Sequence, residues 1–240
     1  AGCGLPYYIS NHIANQQDLI ARTVEQFTQQ NISVFTEREA TEINPDEKTV
    51  TIKNLLTEEI ETVSYDKLLV ATGARPFVPP LEGIDLKGVF TLRNIPDSEK
   101  IKQYIADYQP KKAIIVGAGY IGLGMVESLL EHKIEVTLIE QNHHIIPNMD
   151  EDMADIVTEY LTSKGVIVKT AETVKGFQGQ EKVTAALTDQ GLIGTDFVLM
   201  SIGVRPNSEI AQKAGITLGA RGAIQVNKRM ETNLKDIYAA

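Results

Sequence analysis

The sequence is poor in cysteine and in cationic residues, and it contains no long apolar run. A single cysteine, Cys3, excludes an internal disulfide and favours a reducing, cytoplasmic setting. The 23 lysine and arginine residues are outnumbered by 32 aspartate and glutamate residues, and the net charge of −9 argues against nucleic acid and membranes as partners. No apolar stretch could span a bilayer, and neither a signal peptide nor an initiator methionine opens the chain. We therefore expect a fragment of a cytoplasmic globular protein.

The first part of the sequence alternates between helix and strand patterns. Predicted strands lie at 32–35, 39–43, 49–53, 59–63 and 67–71. Apolar spacing predicts helices at 17–30 and 97–108, the second capped by Asp97 or Ser98. Prolines at 76, 79 and 80 indicate an irregular connector.

From residue 110 the pattern becomes strand, helix, strand. Further strands are predicted at 135–139, 166–169 and 197–202, with a hairpin-like region at 172–188. A helix at 152–163 has apolar residues at helical spacing, namely Met153, Ile156, Val157, Tyr160 and Leu161. The fold class is therefore α/β, with a Rossmann-type dinucleotide-binding domain at 110–227 that contains a small antiparallel insertion.

Residues 113–124, AIIVGAGYIGLG, carry the strongest functional pattern. Gly117 would allow a tight turn from strand to helix, Gly119 would let a pyrophosphate approach, and Gly122 would let helix and strand pack closely. The helix N-terminus offers N–H groups to the phosphates. Glu140 ends the next strand, 23 residues after Gly117, where a carboxylate would bind the adenosine ribose and repel the 2′-phosphate of NADP. The alternatives are a glycine-rich turn in another α/β fold and a solvated strand end at Glu140.

Three further segments follow one another in a recognisable order. They are LLVATGARP at 68–76, SIGVRPN at 201–207 and TNLKDIYAA at 232–240. Together with the glycine turn, this ordered set resembles the flavoprotein pyridine nucleotide–disulfide oxidoreductases over the whole chain. The resemblance implies a partial FAD-binding domain at 1–109 containing a β-meander, an NAD(H)-binding domain at 110–227, and a return segment of the FAD-binding domain at 228–240.

The opening residues CGLPYYIS narrow the resemblance. Dithiol members have two cysteines separated by four residues, but Tyr8 stands where the second would fall. The run therefore looks most like the single-cysteine branch, above all the coenzyme A-disulfide reductases and related persulfide reductases. Only a thiolate attacks disulfides, and Pro6 suits the first turn of a helix, so Cys3 is predicted near a helix N-terminus as the catalytic residue. The alternative is an inert structural cysteine.

The resemblance implies FAD and NADH as cofactors, with NADPH as the alternative nucleotide. On the nicotinamide side it assigns Gly117, Gly119, Tyr120, Ile121, Gly122, Glu140 and Gly203. On the flavin side it assigns Ala40, Ala71, Thr72, Gly73, Tyr238 and Ala239. Tyr120 would stack in the nicotinamide pocket, its alternative role being packing within the turn.

The implied parent is a homodimeric FAD-dependent NAD(P)H:disulfide oxidoreductase. Electrons would pass from NADH through FAD to a Cys3 mixed disulfide, and the substrate would be coenzyme A disulfide or another small disulfide or persulfide. One alternative is a single-cysteine NADH oxidase or peroxidase, in which Cys3 cycles to a sulfenic acid. A second is an electron-transfer module with a structural cysteine.

The sequence also departs from the family pattern. Gly124 stands where many relatives have a glutamate facing the flavin and the nicotinamide. The glycine motif and the Gly-Asp pair that hold FAD in relatives are missing, as is the dimerisation domain, so we expect the isolated chain to be inactive and to bind FAD poorly. His143 and His144 lack metal-ligand spacing, and no metal site is expected.

Overall fold

The computed structural model describes residues 2–240, which divide into two compact units. The first unit contains residues 2–21 and Pro76–Gly203, and the second contains Arg22–Arg75 and Val204–Ala240. The α-helices of this part of the chain are α1 (Leu5–Ile9), α2 (Val24–Thr28), α3 (Ile95–Tyr108), α4 (Tyr120–Glu131), α5 (Glu151–Ser163) and α6 (Glu209–Lys213).

The strands are numbered in chain order. They are β1 (Arg38–Asn44), β2 (Thr49–Asn54), β3 (Ile60–Ser64), β4 (Leu68–Val70), β5 (Ala74–Pro76), β6 (Val89–Phe90), β7 (Lys112–Val116), β8 (Glu135–Ile139), β9 (Ile167–Lys169), β10 (Val174–Gly179), β11 (Val183–Thr188), β12 (Gly191–Gly194), β13 (Phe197–Met200), β14 (Val204–Pro206) and β15 (Ile237–Ala239).

A parallel sheet with the strand order β6-β13-β7-β8-β9 forms the centre of the first unit. Its inner strands are buried on both faces, which requires nearly continuous apolar sequence in β7, β8 and β13. Val116 of β7 pairs with Ile139 of β8 and with Met200 of β13. The residues that follow these strands, including Gly117 and Glu140, therefore share one edge of the sheet.

The sheet lies between two cores, because successive residues of a strand point to opposite faces. On one face, Ile115 and Leu138 pack with helical residues such as Met125. On the other face, Ile114 and Val198 pack against the antiparallel sheet β10-β11-β12. The first unit therefore has three layers, which confirms the predicted α/β dinucleotide-binding architecture.

The second unit contains smaller sheets. Strands β1, β2 and β3 form an antiparallel meander, β4 pairs in parallel with β15, and β5 pairs with β14. A third core includes Ile43 of the meander, Val70 of β4, Ala211 of α6 and Ile237 of β15. The predicted meander is therefore present, and the chain returns to β4 at residues 237–239, inside the predicted return segment.

The division into units differs from the predicted domain limits. Residues 2–21 lie in the first unit because the buried side chains of Leu5 and Ile9 on α1 pack into the core beneath α4. Residues 76–109 also lie there, because β6 and α3 are part of the sheet and of its helical layer. Residues 204–227 lie in the second unit, where Ala211 and Ile216 contribute to the third core.

Some local predictions were wrong. The helix predicted at 17–30 is a 3-10 turn at Gln16–Leu19 followed by α2, because Thr23 adopts an extended conformation and forms a capping box with Gln26. Residues 32–35 form no strand. Asn94, and neither Asp97 nor Ser98, caps α3; Asp97 instead completes the capping box from the third helical position.

Helix α5 shows a further difference from the sequence pattern. It buries Ala154 and Leu161, whereas Met153, Ile156 and Tyr160 are exposed. Only part of the predicted apolar face therefore meets the core: Leu161 is buried and Val157 packs against the core beside Ala154, which the pattern did not include. Across residues 2–240, none of the helices combines the length and the apolar character needed to cross a membrane.

Candidate dinucleotide and thiol site

The glycine turn connects β7 to α4 at the edge of the parallel sheet. Gly117 has a φ of +99°, and a β-carbon there would lie 2.6 Å from the carbonyl oxygen of Ser201. A β-carbon on Gly122 would overlap the carbonyl oxygen of Gly117, so the helix can start close to the strand only with glycine at this position. The turn geometry is therefore the one that the sequence predicts for these two residues.

Gly119 forms the open side of the turn. A β-carbon on Gly119 would meet no heavy atom of the described residues within 4 Å, apart from its chain neighbours. Gly119 is also the N-cap of α4, and no described side chain caps this end of the helix. Open space and uncapped N–H groups at the start of a 12-residue helix fit a pyrophosphate group.

Glu140 follows β8 and is only 5% exposed. Its Oε2 accepts a hydrogen bond from the backbone N–H of Ala118 at 2.9 Å. Its Oε1 accepts two more, from the backbone N–H of Asn142 at 2.9 Å and from Asn142 Nδ2 at 2.6 Å. The predicted ribose-binding carboxylate is therefore held directly against the glycine turn.

The loop after Glu140 is also attached to this turn. The backbone N–H of Ile146 donates to the carbonyl oxygen of Ala118 at 3.0 Å. Asn148 Nδ2 donates to the hydroxyl of Tyr120 at 3.1 Å, although the Tyr120 side chain is largely exposed. Ile121 is exposed on the same first turn of α4, so both side chains are accessible to a nucleotide.

Gly203 closes the sheet edge after β13. It has a φ of +107°, and its carbonyl oxygen accepts a hydrogen bond from the backbone N–H of Phe77 at 2.9 Å. Ser201, two residues earlier, donates through its hydroxyl to the carbonyl oxygen of Gly117 at 2.8 Å. The segment after β13 therefore supports the glycine turn.

Cys3 is exposed in a 3-10 turn, Gly2–Gly4, that leads directly into α1. Pro6 occupies the first turn of α1, as the sequence predicts. Leu5 and Ile9 are almost completely buried, so α1 buries one face and leaves the thiol accessible at its start.

Side chains from α3 hold the end of α1 that is remote from the thiol. Lys102 Nζ donates to the carbonyl oxygen of Tyr8 at 2.9 Å and to Asn11 Oδ1 at 2.7 Å, and it lies 3.9 Å from the centre of the Tyr8 ring. The Tyr8 hydroxyl hydrogen-bonds to Glu99, which raises the pKa of Tyr8. Partial burial removes water from the Lys102 ammonium group and lowers its pKa. The two hydrogen bonds and the contact with the Tyr8 ring offset this loss of hydration.

Helix α4 also contacts α1, in addition to the contacts that α3 makes with it. His132, its C-cap, places Nε2 2.8 Å from the carbonyl oxygen of Ile9. A β-carbon on Gly124 would lie 3.3 Å from Cγ of Pro6, so the absence of a side chain at 124 allows α1 to pack closely on α4. The structure therefore connects the thiol-bearing segment to the helix that begins at the glycine turn.

The flavin-side candidates lie in the second unit. Ala71, Thr72 and Gly73 follow β4, and Tyr238 and Ala239 lie on its parallel neighbour β15. Ala40 is exposed on β1, where it pairs with Ile52 in the separate meander.

Asn207, the last residue of the SIGVRPN segment, is hydrogen-bonded to the turn that contains Thr72. The hydroxyl of Thr72 donates to the carbonyl oxygen of Asn207 at 2.5 Å, and Asn207 Nδ2 donates to the carbonyl oxygen of Thr72 at 3.0 Å. The backbone N–H of Asn207 donates to the carbonyl oxygen of Gly73 at 2.9 Å. Parallel strand ends with a glycine turn fit a flavin nucleotide, although the sequence has only one GxGxxG turn, and that turn lies on the nicotinamide side.

Several residues of the site were not predicted from the sequence. Asn142, Lys102 and His132 belong to no motif, and Asn207 ends the SIGVRPN segment but was assigned no role; only Asn142 lies within two residues of a predicted site residue. Among residues 2–240, no group of three or more histidine, cysteine, aspartate or glutamate side chains could hold a metal ion.

A three-layer α/β unit with a glycine turn at the end of one parallel strand and a carboxylate at the end of the next has the architecture of a dinucleotide-binding protein. The family comparison agrees with this class. The chain belongs to the pyridine nucleotide-disulphide oxidoreductase family, whose model matches residues 1–240.

Two curated relatives represent two activities. An NADH oxidase of Methanocaldococcus jannaschii is 41% identical over 240 residues, covering 99% of this chain and 53% of that protein. A coenzyme A disulfide reductase of Staphylococcus haemolyticus is 34% identical over 242 residues, covering 100% of this chain and 53% of that protein. The chain thus spans about half the length of the curated relatives it matches.

Solved structures support the same family. Reduced CoADR-RHD of Bacillus anthracis has a TM-score of 0.95 and 40% identity, covering 100% of this chain and 43% of that one. The water-forming NADH oxidase of Lactobacillus brevis, bound to NADH, has a TM-score of 0.92 and 29% identity, covering 100% of this chain and 53% of that one. A five-substitution variant of that oxidase, engineered as an NADPH oxidase, was solved with NADPH; it has a TM-score of 0.91 and 29% identity, with the same coverage.

Proposed function

We propose that this chain provides the NADH site and the redox thiol of an FAD-dependent reductase of coenzyme A disulfide or a related small disulfide or persulfide. The observation that carries this proposal is the packing of α1, which follows Cys3, on α4, which begins at the glycine turn. Relatives named coenzyme A disulfide reductase, and a persulfide reductase from A. fulgidus with a TM-score of 0.93 and 38% identity, support this choice.

The nicotinamide side would use the glycine turn and Glu140. The uncapped N-terminus of α4 binds the pyrophosphate, and open space at Gly119 allows its approach. Glu140 accepts a hydrogen bond from the adenosine ribose, and Tyr120, on the first turn of α4, contacts the nicotinamide end. Ile121, on the first turn of α4, and Gly203, after β13, would line the same nucleotide site.

The thiol side would act by disulfide exchange. The Cys3 thiolate attacks one sulfur of the substrate disulfide, forming a Cys3 mixed disulfide and releasing the first thiolate. Two electrons then cleave the mixed disulfide, which regenerates the Cys3 thiolate and releases the second thiolate. FAD, when bound by residues that include Ala40, Ala71, Thr72, Gly73, Tyr238 and Ala239, supplies those two electrons from NADH.

The nucleotide preference would follow from Glu140. The aspartate and the glycine replaced by alanine in the engineered Lactobacillus brevis oxidase are 18 positions apart, the spacing of Glu140 and Gly122 here. A proline replaced by arginine lies seven positions after that aspartate, as Pro147 lies after Glu140. We infer that Glu140 occupies the corresponding position and favours NADH, because a carboxylate repels a 2′-phosphate in a poorly screened site.

The second candidate function is a single-cysteine NADH oxidase or peroxidase. It is favoured by the relatives named NADH oxidase, which are 41% and 36% identical to this chain. In that function Cys3 would cycle between thiolate and sulfenic acid. An electron-transfer module is the third, and the 28% identical putidaredoxin reductase represents that class. In every case we propose a homodimeric parent protein.

The test is to assay the longer protein that contains this chain with NADH and, in turn, coenzyme A disulfide, polysulfide and oxygen. Cys3→Ser should abolish disulfide turnover and leave flavin reduction by NADH largely intact. Mass spectrometry of the unaltered protein should show a mixed disulfide with a small thiol on Cys3. A sulfenate with oxygen turnover would favour the oxidase, and retained disulfide turnover in Cys3→Ser would exclude Cys3 as the redox centre.

A further inference from the structure

The carboxylate of Glu140 has little freedom to move. Three N–H groups point at it, one from Ala118 and two from Asn142, at 2.6 to 2.9 Å. A carboxylate accepts about four hydrogen bonds, so about one acceptor position remains for a ligand. Because two of the three donors belong to Asn142, this residue does most to fix the orientation of the carboxylate.

Asn142 can act in this way because its own backbone is held. The backbone N–H of Glu140 donates to the carbonyl oxygen of Lys169 at 2.8 Å. The backbone N–H of Ala171 donates to the carbonyl oxygen of Asn142 at 2.8 Å, and that of Glu172 donates to the carbonyl oxygen of Glu140 at 3.1 Å. Residues 140–142, which follow β8, are therefore hydrogen-bonded to residues 169–172 at the end of β9. These bonds fix the backbone from which the Asn142 side chain extends.

We propose that Asn142 is a specificity-determining positioning residue for the nicotinamide nucleotide. It holds the Glu140 carboxylate ready for a ribose hydroxyl, and it prevents the carboxylate from rotating away to admit a 2′-phosphate. This inference rests on the proposed function, in which Glu140 meets the adenosine ribose. Without the hydrogen bond from Asn142 Nδ2, the Glu140 carboxylate could rotate away from the ribose site. The 2′-phosphate of NADPH would then be repelled less.

The Asn142 contact is a property of this chain and is not general to its relatives. In the Lactobacillus brevis oxidase the residue two positions after the replaced aspartate is a methionine, which the engineered NADPH oxidase exchanges for serine. A methionine side chain has no N–H to donate. This chain therefore has a means of fixing the carboxylate that the oxidase lacks.

The test compares NADH and NADPH binding to the 240-residue chain by fluorescence or calorimetric titration. Asn142→Ala should weaken NADH binding by about five- to tenfold, as expected for the loss of one hydrogen bond of typical net strength. NADPH binding should stay unchanged or tighten. The Kd for NADPH divided by the Kd for NADH should therefore fall by at least about fivefold. Asn142→Met, which retains bulk, should give the same change, and His143→Ala, exposed in the same loop, should give none.

The outcomes separate this inference from the proposed nucleotide preference. Glu140→Gln should lower the preference for NADH, and adding Asn142→Ala to it should change the ratio no further. If both Asn142 variants weaken NADH and NADPH equally, or leave the ratio unchanged while Glu140→Gln alters it, the positioning role of Asn142 is wrong and the role of Glu140 stands. If the unaltered chain binds NADPH as tightly as NADH, the preference assigned to Glu140 is wrong, and this inference fails with it.

Discussion

Gly117→Ala should destabilise the first unit through two additive effects. An L-residue at a φ of +99° costs about 1–2 kcal/mol relative to glycine. The new methyl group would also lie 2.6 Å from the oxygen and 2.8 Å from the carbon of the Ser201 carbonyl. These are backbone atoms at the end of a central strand and cannot rotate away, which adds about 1–3 kcal/mol of overpacking. We expect a total loss of about 3 kcal/mol.

Gly165→Ala is the matched control for this substitution. Gly165 belongs to the same unit and has a φ of +86°, but a β-carbon there would meet open space. It should therefore lose only the conformational part, about 1–2 kcal/mol. Urea unfolding monitored by far-ultraviolet circular dichroism measures both variants in one transition of the same unit. Equal losses for the two variants, within about 0.5 kcal/mol, would refute the steric argument at Ser201.

Gly119→Ala separates ligand approach from stability. Its methyl group points into open space and its backbone φ is −86°, so the stability loss should be only a few tenths of a kcal/mol. NADH binding should weaken by at least about tenfold, equivalent to about 1.4 kcal/mol, because the methyl group occupies the approach to the helix N-terminus. Unchanged NADH affinity in this variant would place the pyrophosphate elsewhere.

Three further substitutions and one property of the unaltered chain test separate parts of the fold and of the proposed site. Lys102→Met should lose about 1–2 kcal/mol and speed hydrogen exchange of the α1 amides, because it removes the ammonium contacts with α1; unchanged exchange would contradict the anchoring role. Glu140→Arg should shift binding toward NADPH in parallel titrations, and a retained preference for NADH would count against the assigned ribose site. The hydrogen bond from Lys48 lowers the pKa of Asp236, so the stabilisation is present at neutral pH and is lost as the pH falls through that lowered pKa; Asp236→Asn should flatten this acid dependence in urea unfolding. The purified 240-residue chain should be colourless yet bind NADH, and stoichiometric FAD with disulfide reductase activity would overturn the reasoning about the flavin side.

The parts of the site that depend on neighbouring residues in sequence could be predicted. The strand at 135–139 occurs with the predicted bounds, and Gly117 and Gly122 have the backbone roles assigned to them. These features are local, because a tight turn and a buried strand impose requirements on consecutive residues. The position of Glu140 beside the glycine turn could be predicted for the same reason, because it directly follows a strand whose bounds were clear; its ribose-binding role stays a prediction.

The features that could not be predicted depend on which helix and strand faces pack against each other in the folded chain. The apolar spacing at 17–30 is typical of a single helix. The segment instead forms two short elements, because Leu19 is buried against the core that contains α1 and Thr23 starts a new helix with a capping box. The apolar residues of α5 have regular helical spacing, yet close packing of Ala154 against the core leaves Ile156 in solvent. Lys102 reaches Tyr8 across more than 90 positions of sequence, and no periodicity within α3 identifies that partner.

Helix α4 connects the two halves of the proposed chemistry. Its first turn would form the nucleotide end of the proposed site, Gly124 in its middle leaves room for Pro6, and its C-cap His132 reaches the carbonyl oxygen of Ile9. The position of the thiol segment is therefore set by packing on the same helix that would receive the pyrophosphate. A side chain at 124 would press against α1 without touching the glycine turn. The glycine at this position therefore matters for the packing of the thiol-bearing segment on α4.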